Sequence, residues 1–153
     1  MLRVLAPAAG SRSEYERILA DNEDENKLSL IVKAEYKGRS VLFTGDIDSE
    51  YEKKLVDIYG NIPEQSGAPS AGGLHSDILK IAHHGSKYSS SDDFLSAVAP
   101  SVSVIQVGRN LYGHPTPEAL ERIEEQGSLM FRNDMDGAVM VRLGRRMTVR
   151  TMK

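Results

Sequence analysis

The sequence contains no cysteine, no apolar run long enough to cross a membrane, no excess of basic residues, and no histidine before His75. Without cysteine there is no disulfide frame, no thiolate nucleophile and no cysteine-type zinc site. A membrane-spanning helix needs ~20 apolar residues, and none of the apolar runs approaches that. The opening stretch Met1–Gly10 is too short for a signal peptide's core plus a cleavage region and reads as structure, which is compatible with the cytosol. Lys and Arg number 19 against 22 Asp and Glu, a formal charge of -3. That balance lacks the overall basic footprint of non-specific nucleic-acid binding. It does not exclude a nucleic-acid substrate, because metal ions can carry the positive charge a phosphate needs.

What is present is ordinary for a soluble chain: 40% apolar and 27% charged residues. Its 153 residues suit one domain with a real core. The stretch from Gly60 to Gly73, rich in Gly, Pro, Ser and Ala, reads as a mobile loop at about 60–75 rather than a linker.

Arg3-Val4-Leu5 is a short strand candidate stopped by Pro7, and Ser13–Leu19 has the composition of a helical turn or two. Leu28, Leu30, Val32, Ala34 and Tyr36 alternate with Ser29, Ile31, Lys33 and Glu35, the period-two signature of a strand with the apolar set inward. Lys37-Gly38 turns the chain, and Ser40–Thr44 returns as the second strand of a hairpin. Asp48 or Ser49 can cap a helix, and Ser49 with Glu52 fits a capping box. Tyr51, Leu55, Ile58 and Tyr59 make its apolar stripe. Asp77–Ala82 is the next strand. Ser91 opens a helix with Phe94, Leu95 and Val98 buried, closed by Pro100. Val102–Val107 is a strand. Thr116 caps a helix with Pro117 at its first position, Leu120 and Ile123 inward and Gly127 as its stop. Leu129–Arg132, Ala138–Leu143 and Met147–Met152 complete an α/β pattern.

Chemistry gathers just past the strand ends, where α/β sheets tend to hold ligands. Val41–Thr44 runs into Gly45-Asp46, Ile78–Ala82 into His83-His84-Gly85-Ser86, and Val104–Gly108 leads to Gly113-His114-Pro115. A carboxylate after a glycine can approach a metal, although taken alone Asp46 is better explained as a turn or cap aspartate. Two adjacent histidines leaving an apolar strand suit metal binding or proton transfer. His114 lies in a loop, where site residues concentrate. Ser86, Ser89, Ser90 and Ser91, with helix N–H groups behind them, form a candidate phosphate seat. Simple capping accounts for the same serines at least as well. His75 reads as surface.

With Asn26–Val32, Phe43-Thr44-Gly45-Asp46, His83–Ser90 and Tyr112-Gly113-His114-Pro115 in this order, the chain resembles the metallo-β-lactamase superfamily, and within it the hydrolase domain of ComEC-type competence proteins. Phe131–Gly137 fits that family's closing hairpin. The resemblance implies an αβ/βα sandwich with a two-metal hydrolytic site, usually zinc or manganese, acting on phosphodiester or nucleic-acid substrates. It implies Asp46 as a bridging metal ligand. One of His83 and His84 would be a further ligand, with His83 favoured, leaving His84 and His114 for substrate binding or proton transfer.

The family's principal His-x-His-x-Asp-His cluster is absent. The expectation is therefore the C-terminal half of such a domain, α/β with a mixed sheet flanked by helices, and inactive alone. A catalytic zinc takes three protein ligands, and a two-metal site about twice as many. The missing half would come from a partner segment. The competing expectation is a non-catalytic binding or assembly module that self-associates to cover its exposed sheet face. A metal-free phosphate binder using Ser86 and the serine run is a third. ComEC relatives are membrane-tethered, while this chain shows no membrane segment.

Overall fold

Alternation and turn chemistry build the first half of the sheet, and strand–helix–strand crossovers build the second. The computed structural model describes residues 1–6, 16, 25–60 and 73–153. Pro7, most of the turn expected at Ser13–Leu19 and residues 61–72 of the loop expected at about 60–75 lie outside the described residues. Among the described residues eight strands are formed: β1 Leu2–Ala6, β2 Ile31–Tyr36, β3 Arg39–Phe43, β4 Ile78–Lys80, β5 Val102–Ile105, β6 Leu129–Arg132, β7 Ala138–Arg142 and β8 Thr148–Met152. Three longer helices accompany them: α1 Ser49–Tyr59, α2 Asp92–Val98 and α3 Pro117–Glu125.

β1 to β6 make one sheet in sequence order, antiparallel through β1-β2-β3 and parallel from β3 to β6. The β2–β3 turn needs positive φ at both Lys37 (51°) and Gly38 (73°), the pairing that suits a tight hairpin. β7 and β8 form a separate antiparallel ribbon.

Register divides the large sheet into two unlike faces. One carries Ile31, Leu42, Leu79 and Ile105, which pack with Leu55 of α1, Phe94, Leu95 and Val98 of α2 and Ile123 of α3 into the core. Tyr59 ties α1 to β1 by donating its hydroxyl hydrogen to the Leu5 carbonyl at 3.1 Å. The other face carries Val4, Val32 and Phe43 in one cross-strand row and Leu2, Ala34 and Val41 in the next. Leu2, Val4, Tyr36, Phe43 and Leu129 are exposed there. A mixed sheet with helices packed on one face, and apolar side chains exposed on the β1–β3 part of the other, is compatible with half of an αβ/βα sandwich.

Two expectations about β2 are corrected. β2 begins at Ile31 rather than Leu28, since Glu25–Leu28 form a tight helical turn. Its faces are also reversed. Ile31 and Lys33 are buried, while Leu30 and Tyr36 are more than half exposed. The reason is that Lys33 has partners in the core: its ammonium donates to the carbonyls of Gly73 (2.9 Å) and His75 (2.6 Å), with Glu35 at 3.9 Å. Buried charge is tolerated where hydrogen bonds replace water, and here it pins the segment entering β4 to β2.

In α1, Asp48 is the cap, accepting from the Tyr51 N–H at 2.9 Å. Glu52 does not close a capping box; it is buried with Leu55, while Ile58 is 61% exposed. α2 and α3 follow expectation: Phe94, Leu95, Val98 and Ile123 are buried, and Thr116 caps α3.

Replacing Lys33 by Met leaves two buried carbonyls without their ammonium donor. Urea unfolding is expected to show a loss of about 2–4 kcal/mol, against almost none for Lys37→Met at the exposed turn.

Candidate functional site

The exits of β3, β4 and β5 meet at one edge of the sheet. β3 and β4 are parallel with Phe43 beside Lys80, so both end at one level. Thr44 turns its hydroxyl onto the Lys80 carbonyl at 2.7 Å. Gly45 then takes φ +57°, and a Cβ there would lie 2.6 Å from Ser29 Cβ. Glycine is thus required both for its conformation and for the close approach. Ser29 completes the turn by accepting the Asp46 N–H at 2.9 Å.

The histidine turn is more strained. His83 (φ 46°, ψ 42°) and His84 (φ 55°, ψ 22°) both occupy the left-handed region, and Gly85 follows at φ 82°. For a residue with a side chain this costs ~1–2 kcal/mol, so the surroundings must hold it. His83 N–H donates to the Gly45 carbonyl at 3.2 Å, and Thr116 N–H donates to the Gly85 carbonyl at 2.9 Å. A Cβ on Gly85 would stand 2.6 Å from Pro115 Cβ. The turn is therefore wedged between the loops carrying Asp46 and His114.

Asp46 Oδ2 stands 3.6 Å from His84 Nε2. His84 Nδ1 is 2.6 Å from the Gln106 carbonyl oxygen. A carbonyl accepts only, so Nδ1 carries the proton, and in the neutral ring Nε2 presents its lone pair towards Asp46. His83 turns the other way, its ring edge-on to His114 at 5.6 Å between centroids. His114 stacks with Tyr112 at 6.1 Å. Its Nδ1 is buried without a hydrogen-bond partner among the described residues. Burial, then the neighbouring imidazoles of His83 and His84, hold its pKa below the usual histidine value.

Lys80 belongs to this edge although nothing marked it in the sequence beyond a charge at the end of an apolar strand. Its ammonium donates to the carbonyls of Gly45 and Ile81, each at 3.1 Å, and lies 3.9 Å from Asp46 Oδ1. Burial lowers its pKa and Asp46 opposes the shift. The Gln106 carbonyl is the other unforeseen participant, and a backbone oxygen leaves no trace in side-chain pattern.

Beside His84 opens a cleft of about 420 Å³, lined by Gln106, Arg109, Asn110, Tyr112, His114 and Asn133 among others. Asn110 shapes its rim. Its side-chain oxygen accepts the N–H groups of Tyr112 and His114, each at 3.1 Å, and its amide donates to the carbonyls of Gly108 and His114.

Ser86, Ser89 and Ser90 lie under the surface, and Ser89 spends its hydroxyl hydrogen on the Ile47 carbonyl at 2.7 Å. In this arrangement they shape the loop rather than face solvent. His75 is exposed, as expected.

As a test of fit for zinc or manganese, two donors of one zinc at ~2.0–2.2 Å each stand no more than ~4.4 Å apart. The 3.6 Å between Asp46 and His84 falls within that span. No group of three or more His, Asp or Glu is placed to hold a metal among the described residues. The edge thus offers two donors of a cation site and lacks the third that a catalytic zinc takes.

Behind the histidine turn, Glu52 accepts from the N–H groups of Ser90 and Ser91 and from the Ser91 hydroxyl, across the space between α1 and α2. Arg122 of α3 donates to the carbonyls of Lys87, Ser89 and Ser90. Burial pushes the Glu52 pKa up to about 7, opposed by those hydrogen bonds and by Arg122. A carboxyl whose folded pKa exceeds its unfolded value makes its full contribution below the unfolded pKa and loses it as pH rises through the folded one. Stability is therefore expected to fall between about pH 4.5 and 7, by roughly 3 kcal/mol if Glu52 acts alone. Chemical denaturation across that window checks this, and Glu52→Gln is expected to flatten the slope.

Comparison with known proteins gives three relevant relatives. The chain is 38% identical over 125 residues to competence protein ComA of Neisseria gonorrhoeae, covering 81% of this chain and 16% of that protein. It is 29% identical over 123 residues to ComE operon protein 3 of Bacillus subtilis, covering 80% and 14%. It is 30% identical over 118 residues to recombination protein 2 of Haemophilus influenzae, covering 76% and 13%. The chain thus spans a minor part of the length of each relative. No family model matches it.

Proposed function

We propose that this chain supplies one side of a metal-dependent phosphodiester hydrolase site of the metallo-β-lactamase superfamily, acting on nucleic acid in DNA uptake. The observation that carries the reading is the approach of Asp46 Oδ2 to within 3.6 Å of His84 Nε2 at the shared edge of β3 and β4. Relatives named as competence proteins support the DNA-uptake setting.

In this reading Asp46 and His84 hold the cation edge. Gln106 fixes the His84 ring, the second-coordination task that backbone carbonyls commonly perform for ligating histidines. Lys80 keeps the Asp46 loop seated and balances its charge before any cation binds. His114, with its lowered pKa, is neutral near pH 7 and suited to accept a proton or a hydrogen bond from substrate. Zinc or manganese, when bound, would polarise a phosphoryl oxygen and acidify water. Further donors must come from a segment other than the residues at this edge, a partner half-domain carrying a His-x-His-x-Asp-His cluster.

Calorimetric titration with Mn²⁺ and Zn²⁺ tests the first step. Weak stoichiometric binding is expected, lowered at least about tenfold in Asp46→Ala and in His84→Ala. Adding a candidate segment with the missing cluster is expected to produce cleavage of bis(p-nitrophenyl) phosphate and of single-stranded DNA. If cation binding ignores both substitutions and both assays stay blank, the hydrolase reading is wrong.

The open sheet face favours a second reading, a non-catalytic assembly module. Leu2, Val4, Tyr36 and Phe43 remain exposed together on its β1–β3 part, and such an apolar area marks an interface. Self-association of the isolated chain is expected by light scattering, reduced by Val4→Lys with Phe43→Lys. A monodisperse monomer at high concentration counts against it.

A further inference from the structure

Net charge conceals a segregation. Residues 137–153 contain five of the 19 basic residues and none of the 22 acidic ones, so this segment carries +5 in a chain whose formal charge is -3. The segment is the β7–β8 ribbon and its ends. Arg142, Arg145, Arg146, Arg150 and Lys153 are all exposed. None of the five has an ion-pair or hydrogen-bond partner among the described residues.

Their placement follows from register. Met140 pairs with Arg150 and Arg142 with Thr148, which puts Arg142 and Arg150 diagonally adjacent on one exposed face. Arg145 and Arg146 occupy the turn, and Lys153 follows β8. The ribbon is an elongated cationic track. It is also fastened to the candidate site. Asn133 lines the cleft with Arg109 and His114. Its side-chain amide donates to the Gly137 carbonyl at 2.8 Å, and the Gly137 N–H donates to its carbonyl at 3.1 Å. β7 starts at the next residue.

We propose that the β7–β8 ribbon is a phosphate-backbone track that holds a single-stranded nucleic acid whose continuation lies in the cleft beside His84. The inference deepens the hydrolase reading and rests on it for the choice of a nucleic acid among polyanions. Four of the five cations are arginines, whose planar forks match phosphate oxygens pairwise. An elongated ribbon rooted at the cleft suits a strand that runs from one to the other. A flat lipid surface would have no such need of continuity. An exposed Tyr112 at the cleft rim, 83% accessible, offers a base a stacking surface where the track ends. A merely solubilising surface would mix both signs, as the α1 surface does with its Lys53–Asp57 and Lys54–Glu50 pairs.

Fluorescence anisotropy of a labelled oligothymidylate with this chain, across a salt series, tests the proposal. Arg145→Gln with Arg146→Gln is expected to weaken binding about tenfold or more and to reduce the magnitude of the log–log salt slope by ~1.4, which is ~0.7 for each phosphate no longer neutralised. Circular dichroism verifies that the variants are folded, and Arg142→Gln with Arg150→Gln provides a second pair at different positions. Unchanged affinity and slope in both folded pairs would overturn the proposal. So would loss of binding to vesicles containing phosphatidylglycerol with oligonucleotide binding intact, which assigns the ribbon to membranes. Asp46→Ala is expected to lose its cation heat and keep oligonucleotide binding. If Asp46→Ala abolishes oligonucleotide binding while both ribbon pairs retain it, the track is wrong and the cation edge stands. Ribbon-dependent binding without any cation heat leaves the track standing and removes the hydrolase reading.

Discussion

The pairing of Val41 with Ile78, Leu42 with Leu79 and Phe43 with Lys80 makes β3 and β4 end at the same level, and the chemistry of this molecule depends on that alignment. Slipping a strand by one residue would send each side chain to the other face, and would put Asp46 out of reach of His84. The alignment is locked outside the sheet as well as within it. Thr44 bonds the Lys80 carbonyl, Lys80 bonds the Gly45 carbonyl, and His83 N–H bonds that same carbonyl. Arg39 and the Ser40 N–H both grip Asp77 at the opposite ends of these strands. The parallel pair is fixed at top and bottom, and the site inherits that rigidity.

Rigidity is what two consecutive left-handed histidines require. Together they cost a few kcal/mol at most, a sum that one well-hydrogen-bonded loop can offset. The anchorage comes from behind. Glu52 holds the start of α2, Arg122 holds three carbonyls of the preceding loop, and Thr116 holds Gly85. Helix α1 thus contributes Glu52, and α3 contributes Arg122 and its cap residue Thr116, to the histidine turn or the loop that leaves it. The conformation places His84 outward beside Asp46 and leaves His83 against His114, an arrangement an extended strand exit would not give.

This explains what the sequence could and could not disclose. Helices α2 and α3 were legible because cap position, apolar stripe and stop signal marked the same bounds, although the Ser91 hydroxyl bonds Glu52 instead of capping α2. The three strand exits were legible because Gly-Asp, His-His-Gly-Ser and Gly-His-Pro interrupt apolar runs. The face of β2 was not, since period-two alternation says which residues share a side and not which side is inward. The inward side, Ile31, Lys33 and Glu35, is the more polar of the two, and it faces in because a carbonyl 40 residues away bonds Lys33. Glu52 fitted a local motif by spacing and answered instead to a helix N-terminus across the core. The protonation pattern of His84 depends on a backbone oxygen of residue 106, which no motif encodes.

The open sheet face and the basic ribbon carry a common consequence. The segment from Ala138 onward holds +5 while the residues before it hold -8, so the average hides a field strong enough to orient a polyanion. Exposed charges act over ~10 Å at ordinary ionic strength, comparable to the width of a sheet layer, so the ribbon's influence is confined to its own end of the molecule. The apolar face, by contrast, acts only by contact. A partner covering Val4, Phe43 and Leu129 therefore need not compete with a nucleic acid on Arg145 and Arg146. If both proposals hold, assembly through one surface and strand capture through the other can operate together, and a segment brought by the first would meet a phosphate brought by the second at the Asp46–His84 edge.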